Sequence, residues 1–333
     1  MKKNMSLVDI FKLLFAIGIV AIHSKLFIGN SIYEWVFLHA ALRLAVPFFF
    51  CTSGYFFYLS LKKGNSIKQV TYKYLKRIMI PFVFWLLLNL PIVIYNYHQE
   101  GLKISNMIAK IFRSLIFYPW GALWYLLALM VAIVFIIPFY KRNKLTLIVW
   151  IGAILYLFCL ICNTYYFVVD GTAIQKIIDG MLTIISSARN GIFEGIYFVS
   201  SGMLVAKYSE EKKINFKLNN YLFFVLYALL VVEIILTKNC IHKDDHSLFI
   251  MLIPVIPSLL ILLGQFSFKT NTISFRNYSA GIYFSHRFVL GIVTIIMSTS
   301  SSIVTFMVTM IVILLCLYIL YSIDNNKINY LIK

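Results

Sequence analysis

The segment Val8–His23 constrains this chain more than any other stretch. It is apolar enough to span a bilayer, yet it carries Asp9, Lys12 and His23. An ionisable group at the centre of a membrane helix costs roughly 2.5–3.5 kcal/mol on the insertion scale, so such groups face protein or a water-filled cavity. Eleven helical steps of ~100° bring His23 to within about 20° of the direction of Lys12, some ~16 Å further along the axis. Asp9 falls within about 40° of the same line, three residues before Lys12, where it can pair with it. Snorkelling of Lys12 to one interface, with His23 near the other, would account for each group separately but not for their shared face.

Composition sets the class. Hydrophobic residues make up 61% of the 333 and charged residues 13%, which excludes an ordinary soluble domain. No short leader with a small-residue cleavage site precedes the first span, so that span is expected to stay in the mature protein. The formal charge of +18 is not a nucleic-acid signature, because Lys and Arg fall in short clusters between apolar runs. That pattern reports topology and contact with anionic headgroups.

Hydropathy and length predict an all-α integral membrane protein of about ten spans, near residues 7–28, 36–61, 78–97, 121–140, 145–163, 191–207, 219–237, 247–265, 277–297 and 302–322. With the N-terminus cytoplasmic, nineteen of the thirty Lys and Arg fall in inside segments and seven in outside ones. Both termini are therefore expected inside. Residues 104–118 read as an amphipathic helix lying on the outer surface until Pro119 ends it, and 172–187 read as a weaker version of the same. No long Ser, Gly or Pro linker and no repeat breaks the chain. Residues 1–333 are expected to form one membrane domain without a soluble appendage.

Depth then sorts the buried polar residues. In this topology His23, His39, Arg43, Trp124, Arg189, Asn190, Glu194 and Glu233 lie in the outer half of the membrane, on several different helices. His39 and Arg43 are four apart and so share a helix face. Lys12 lies near the cytoplasmic side with Lys73, Lys76 and Arg77. A neutral imidazole with carboxylates nearby suits a general base acting on a hydroxyl or amine, and inner cations suit a phosphate-bearing donor. An ion or solute pathway uses the same kinds of group, so transport stays open as a second reading.

Several motifs, taken together, resemble the acyltransferase 3 family of ten-helix membrane proteins over essentially the whole chain. They are Lys12-(ten residues)-His23, Pro47-Phe48-Phe49-Phe50-Cys51-Thr52-Ser53-Gly54-Tyr55, Tyr74-Leu75-Lys76-Arg77-Ile78-Met79-Ile80-Pro81, Leu123-Trp124-Tyr125-Leu126 and Gly281-Ile282-Tyr283-Phe284-Ser285-His286. The family pattern in the first helix is Arg-(ten residues)-His, with the histidine catalytic and the arginine engaging the acyl donor. His23 matches, whereas Lys12 keeps the charge but loses the bidentate fork. A closer resemblance, in Arg43-Leu44-Ala45-Val46-Pro47, Ser53-Gly54-Tyr55 and Ala188-Arg189-Asn190-Gly191-Ile192-Phe193, is to the membrane domain of the serine racemases of vancomycin-resistance operons. That domain belongs to the same superfamily but has been considered a serine-uptake module, so the resemblance leaves acyl transfer and serine uptake both open. No racemase domain follows in this sequence, so racemase activity is not expected.

These readings define an expected site. His23 is the catalytic base, with Glu194 beside it. Lys12, Lys73, Lys76 and Arg77 face an acyl-CoA donor such as acetyl-CoA. His39, Arg43, Trp124, Arg189, Asn190 and Glu233 face the acceptor, and Ser53, Tyr283 and His286 are further candidates. The acceptor is a hydroxyl on a cell-envelope glycan or lipid-linked precursor, which makes the activity O-acetylation at the cell membrane. No permanently bound cofactor and no metal is expected. Cys159 and Cys162 have no partnering motif and read as apolar packing. His242, Asp244, Asp245 and His246 lack zinc spacing and read as a solvated loop. Gly54 and Gly202, each after Ser, read as sites of close helix packing.

Overall fold

The fold was obtained as a computed structural model, which describes residues 5–27, 31–64, 66–240, 243, 246–268, 272–297 and 301–323. Among these residues every regular element is helical. The helices are α1 (Ser6–His23), α2 (Ile32–Phe37), α3 (Ala45–Lys63), α4 (Ile67–Gln99), α5 (Ile104–Phe117), α6 (Trp124–Lys141), α7 (Leu145–Ile161), α8 (Ala173–Ile185), α9 (Ile196–Glu210), α10 (Phe216–Thr237), α11 (Leu252–Gly264), α12 (Ile273–Ile296) and α13 (Ser302–Ser322). Seven helical stretches are long and apolar enough to cross a membrane, and α7 and α11 are shorter apolar helices. The protein is a multi-pass integral membrane protein. Large apolar side chains such as Leu87, Leu236 and Ile303 are exposed on α4, α10 and α13, as lipid-facing helices require.

The centre of the bundle is the crossing of α3 and α9, with α1 packed on α12, α7 on α9 and α10 on α11. Two glycines set the first crossing. A Cβ built on Gly54 would overlap the Val199 carbonyl, and one built on Gly202 would overlap the Cys51 carbonyl. The contact is reciprocal: each helix brings a glycine to the other's backbone. In lipid no hydrophobic driving force holds helices together, so backbone approach of this kind supplies the van der Waals contact that does. The expected packing role of Gly54 and Gly202 is what the structure shows.

Two expected spans are interrupted. The 36–61 segment is α2, then a π turn at Leu38–Leu42, then α3, with Arg43 N–H donating to Leu38 O at 3.1 Å. The 191–207 segment opens on a π turn at Gly191–Gly195 before α9. Asn190 caps that turn, its Oδ1 accepting from Ile192 N at 2.9 Å and Phe193 N at 3.1 Å.

Outside the bundle, α5 leaves Ile104, Ile108, Phe112 and Ile116 exposed along one stripe, the i, i+4 pattern of a helix lying on a membrane. The stripe on α8, with Ile174, Ile177 and Ile184 exposed, is no weaker. Arg113 Nη1 donates to Thr183 O at 2.9 Å, tying α5 to α8. On the same side Lys243 Nζ lies 2.7 Å from Asp179 Oδ1, and that ammonium together with the Tyr166 hydroxyl holds the Asp179 carboxyl below its usual range. The asymmetry of Lys and Arg along the chain sets the expected orientation. A cysteine at exposed Lys68 and one at exposed Asp170, in a chain stripped of native cysteines, should label from opposite faces of the membrane with an impermeant thiol reagent. Labelling of both from one face would contradict it. Lys2, Lys3, Lys269, Lys327 and Lys333, which also count toward that asymmetry, lie outside the described residues, as do His242, Asp244 and Asp245 of the proposed solvated loop.

Candidate functional site

A cavity of about 270 Å³ opens where α1, α3, α6, α12 and the segment before the second π turn meet. His23, Arg43, Trp124, Tyr125, Arg189, Tyr283 and Arg287 all line it. Five of these seven were expected at a site from sequence alone. Tyr125 sits in a quoted motif, and Arg287 follows one.

Several of these side chains are held by identifiable contacts. His23 ends α1, and its ring stacks on that of His286, centroids 5.4 Å apart and planes at 23°. His286 is fully buried. Its Nδ1 lies 2.7 Å from the Tyr283 carbonyl, and a carbonyl only accepts, so Nδ1 carries a hydrogen. Its Nε2 is buried without a hydrogen-bond partner among the described residues. Tyr283 donates its hydroxyl to the Ala122 carbonyl. Arg189 lies over the Trp124 ring, Cζ 4.9 Å from the centroid, and Trp124 in turn stacks on Tyr118 at 5.4 Å and 14°. A guanidinium on an indole face is favourable in itself and fixes the direction of the fork. Behind Arg189 stands Glu194, wholly buried in the second π turn, with Oε2 3.7 Å from Arg189 Nε.

Arg287 reaches the cavity because Gly121 lets it. The backbone there has φ +67°, and a Cβ would stand 3.1 Å from Arg287 Cγ. Both the left-handed conformation and the missing side chain are therefore needed at one position.

Not every expected residue comes to this place. His39 and Arg43 do not share a direction. The π turn between them changes the register, so Arg43 lines the cavity while His39 turns to Trp35, His246 and Phe249, with ring centroids at 3.9, 5.7 and 5.7 Å. His246 is buried rather than solvated. Glu233 accepts from Ile250 N at 2.6 Å, Met251 N at 2.9 Å and the Tyr165 hydroxyl. It satisfies the amides that precede α11, a structural duty away from the cavity. Asn190 is the cap already described. Ser53 stands one step behind the lining, its Oγ 3.2 Å from Tyr125 Oη. Cys159 is packed, its Sγ 3.2 Å from Ala188 O.

On the expected cytoplasmic side there is a larger opening, about 990 Å³, which Asp9, Tyr55, Phe56, Ser60, Lys63, Glu210 and Arg276 help to line. Asp9 pairs there with Arg276 at 3.2 Å and accepts from Thr272 at 2.8 Å, rather than pairing with Lys12. The partner comes from α12, which local spacing cannot reveal. Lys12 instead places its ammonium 4.6 Å from the centroid of Phe56, at the wall of this opening. A shallower groove of about 390 Å³ continues from Ser60 and Lys63 to Lys73, Tyr74 and Arg77. Lys76 does not line it. The outer cavity and the two inner openings share no lining residue. Between them runs the hydrogen-bonded series Tyr125–Ser53–Tyr74, in which the Ser53 carbonyl accepts from Tyr74 Oη at 3.5 Å.

Comparison with known proteins fits this architecture. Residues 6–322 match the acyltransferase domain family, and the chain belongs to that membrane family. Among curated proteins it is similar to an amino-acid racemase of Enterococcus faecalis, 28% identical over 279 residues, which is 82% of this chain and 38% of that protein. It is also similar to a serine/alanine racemase of Enterococcus gallinarum, 27% identical over 259 residues, 75% of this chain and 35% of that protein. A second amino-acid racemase of Enterococcus faecalis matches at 24% over 298 residues, 88% of this chain and 42% of that protein. The chain thus spans well under half the length of these relatives. No solved structure matches.

Proposed function

We propose that this protein is a membrane O-acyltransferase which moves an acyl group, acetyl in the simplest case, from a cytosolic acyl-CoA to a hydroxyl of a cell-envelope glycan or lipid-linked precursor. The observation that carries the reading is the cavity in which His23 stands among Arg43, Arg189 and Arg287, on a helix that also sets Lys12 against Phe56, a lining residue of the inner opening. In the reaction the acceptor oxygen attacks the thioester carbonyl while His23 takes the hydroxyl proton. The new C–O bond forms, the C–S bond breaks, and the proton passes from His23 to the departing thiolate. The Arg43 and Arg189 guanidinium groups stabilise negative charge on the carbonyl oxygen in the transition state, where such stabilisation counts most. Glu194 acts through Arg189, as a positioning residue.

The donor end rests on Lys12, Lys63, Lys73 and Arg77. Acetyl-CoA should raise the melting temperature of the detergent-solubilised protein, since mass action allows about 2.7 kcal/mol at a hundredfold excess over the dissociation constant. The shift should shrink in Lys12→Ala. A second reading, binding or transport of a small amino acid such as serine, is favoured by the small size of the outer cavity and by the names of the racemase relatives. Stabilisation by serine with none from acetyl-CoA would select it.

A further inference from the structure

Three cations converge on the outer cavity, and the described residues that line it include no Asp or Glu. Glu194, the acid nearest to Arg189, lies behind that arginine rather than in the lining. Arg287 makes no hydrogen bond or ion pair with any described residue, and the chain keeps Gly121 at φ +67° to give it room. Arg189 lies flat on Trp124 with its Nε 3.7 Å from Glu194 Oε2, so of the two Arg287 is the cation left for a ligand. Cations inside a membrane span are retained where they serve a pathway or a ligand. Guanidinium groups in particular match the paired oxygens of carboxylate and phosphate. The cavity, about 270 Å³, also limits the recognised part of the ligand to a few heavy atoms beside the His23 ring.

We infer that the hydroxyl-bearing ligand of this cavity is an oxyanion, a compact carboxylate or phosphate group held by Arg287, beside Arg43 and Arg189 in the lining, with its hydroxyl turned to His23. This deepens the acyl-transfer reading and rests on it for the fate of the hydroxyl, but the recognition itself is independent of any transfer. An acceptor of this class is an acidic sugar, a hydroxy acid or a polyol phosphate, rather than a neutral hexose. Arg287 is then the residue that sets specificity for charge.

The test uses the full chain in detergent and three probes of one skeleton: glycerate, glycerol 3-phosphate and glycerol, at equal millimolar concentration. Binding is read by calorimetry and by the melting curve. At least one of the two anions should bind and raise the midpoint while glycerol does neither, and the anion that wins tells a carboxylate ligand from a phosphate one. In Arg287→Gln the affinity for that anion should fall about tenfold or more, the scale of a lost charge-assisted hydrogen bond, and Arg287→Lys should recover part of it. Equal binding of glycerol and the anions, binding of none, or unchanged affinity in a well-folded Arg287→Gln overturns the inference. Should that variant fail to fold, the wild-type series decides alone. Acyl transfer to neutral acceptors with no anion binding would sink this inference and leave the enzyme reading standing. Anion binding without any transfer would do the reverse.

Discussion

His23→Ala is expected to abolish activity while leaving expression, membrane insertion and the melting curve near wild type. A general base contributes roughly 10²- to 10⁴-fold to rate, and a loss of that order is the expected readout in an acetylation assay. Two features argue that stability will survive. His23 is only half buried, at the mouth of a cavity, and removing a polar group from a span relieves an insertion cost rather than adding one. His286 provides the contrast. It is fully buried and bonded to the Tyr283 carbonyl, so its replacement by alanine should lower the melting temperature, because an orphaned buried group costs about 1–3 kcal/mol. His23→Gln, similar in size and still able to hydrogen-bond, should be nearly as inactive as His23→Ala.

The second large effect is structural. Gly202→Val should destabilise the protein more than any single change in the lipid-facing helices, because the added Cβ meets the Cys51 carbonyl and α3 must move to admit it. Overpacking of a core usually costs about 1–3 kcal/mol. Here the obstacle is backbone, so the upper end of that range is expected, read as a lower melting midpoint or as aggregation on gel filtration. Gly54→Val meets the Val199 carbonyl at the same crossing and should behave alike. Val substituted at Gly180, where a Cβ would meet nothing, is the control and should leave stability within about 1 kcal/mol of wild type, since Val is a better helix former than Gly.

Much of this arrangement is legible along the chain because its cause is local. The polar face of α1 follows from helical periodicity, and it puts Lys12 and His23 at different levels of one helix. The apolar stripe of α5 and the Ser-Gly pairs at 53–54 and 201–202 are local too. What escapes is whatever depends on a distant partner or on a change of helical period. The π turns at Leu38–Leu42 and Gly191–Gly195 shift the register by part of a turn, which separates His39 from Arg43 and could not be read from apolar spacing. Asp9 meets Arg276 across 267 positions. Glu233 looks like a site carboxylate until the amides of Ile250 and Met251 are seen to use it. Arg287 carried a signal that went unused: it follows the Gly281–His286 motif directly, and a cation in mid-span needs a purpose. Insertion of π turns next to functional groups is itself a recurrent feature of helices that build sites, and here one turn precedes Arg43 while the other holds Glu194 behind Arg189.

In the proposed mechanism a donor supplied on the cytoplasmic side gives up its acyl group to a hydroxyl in the outer cavity at His23. The direct measurement reconstitutes the protein in vesicles of known orientation, supplies acetyl-CoA labelled in the acetyl carbon to the cytoplasmic face only, and follows base-labile label on envelope acceptors at the opposite face. Wild-type protein should transfer label and His23→Gln should not, both with the same melting curve. Transfer by His23→Gln at the wild-type rate, or uptake of labelled serine by vesicles that form no ester, would contradict that mechanism.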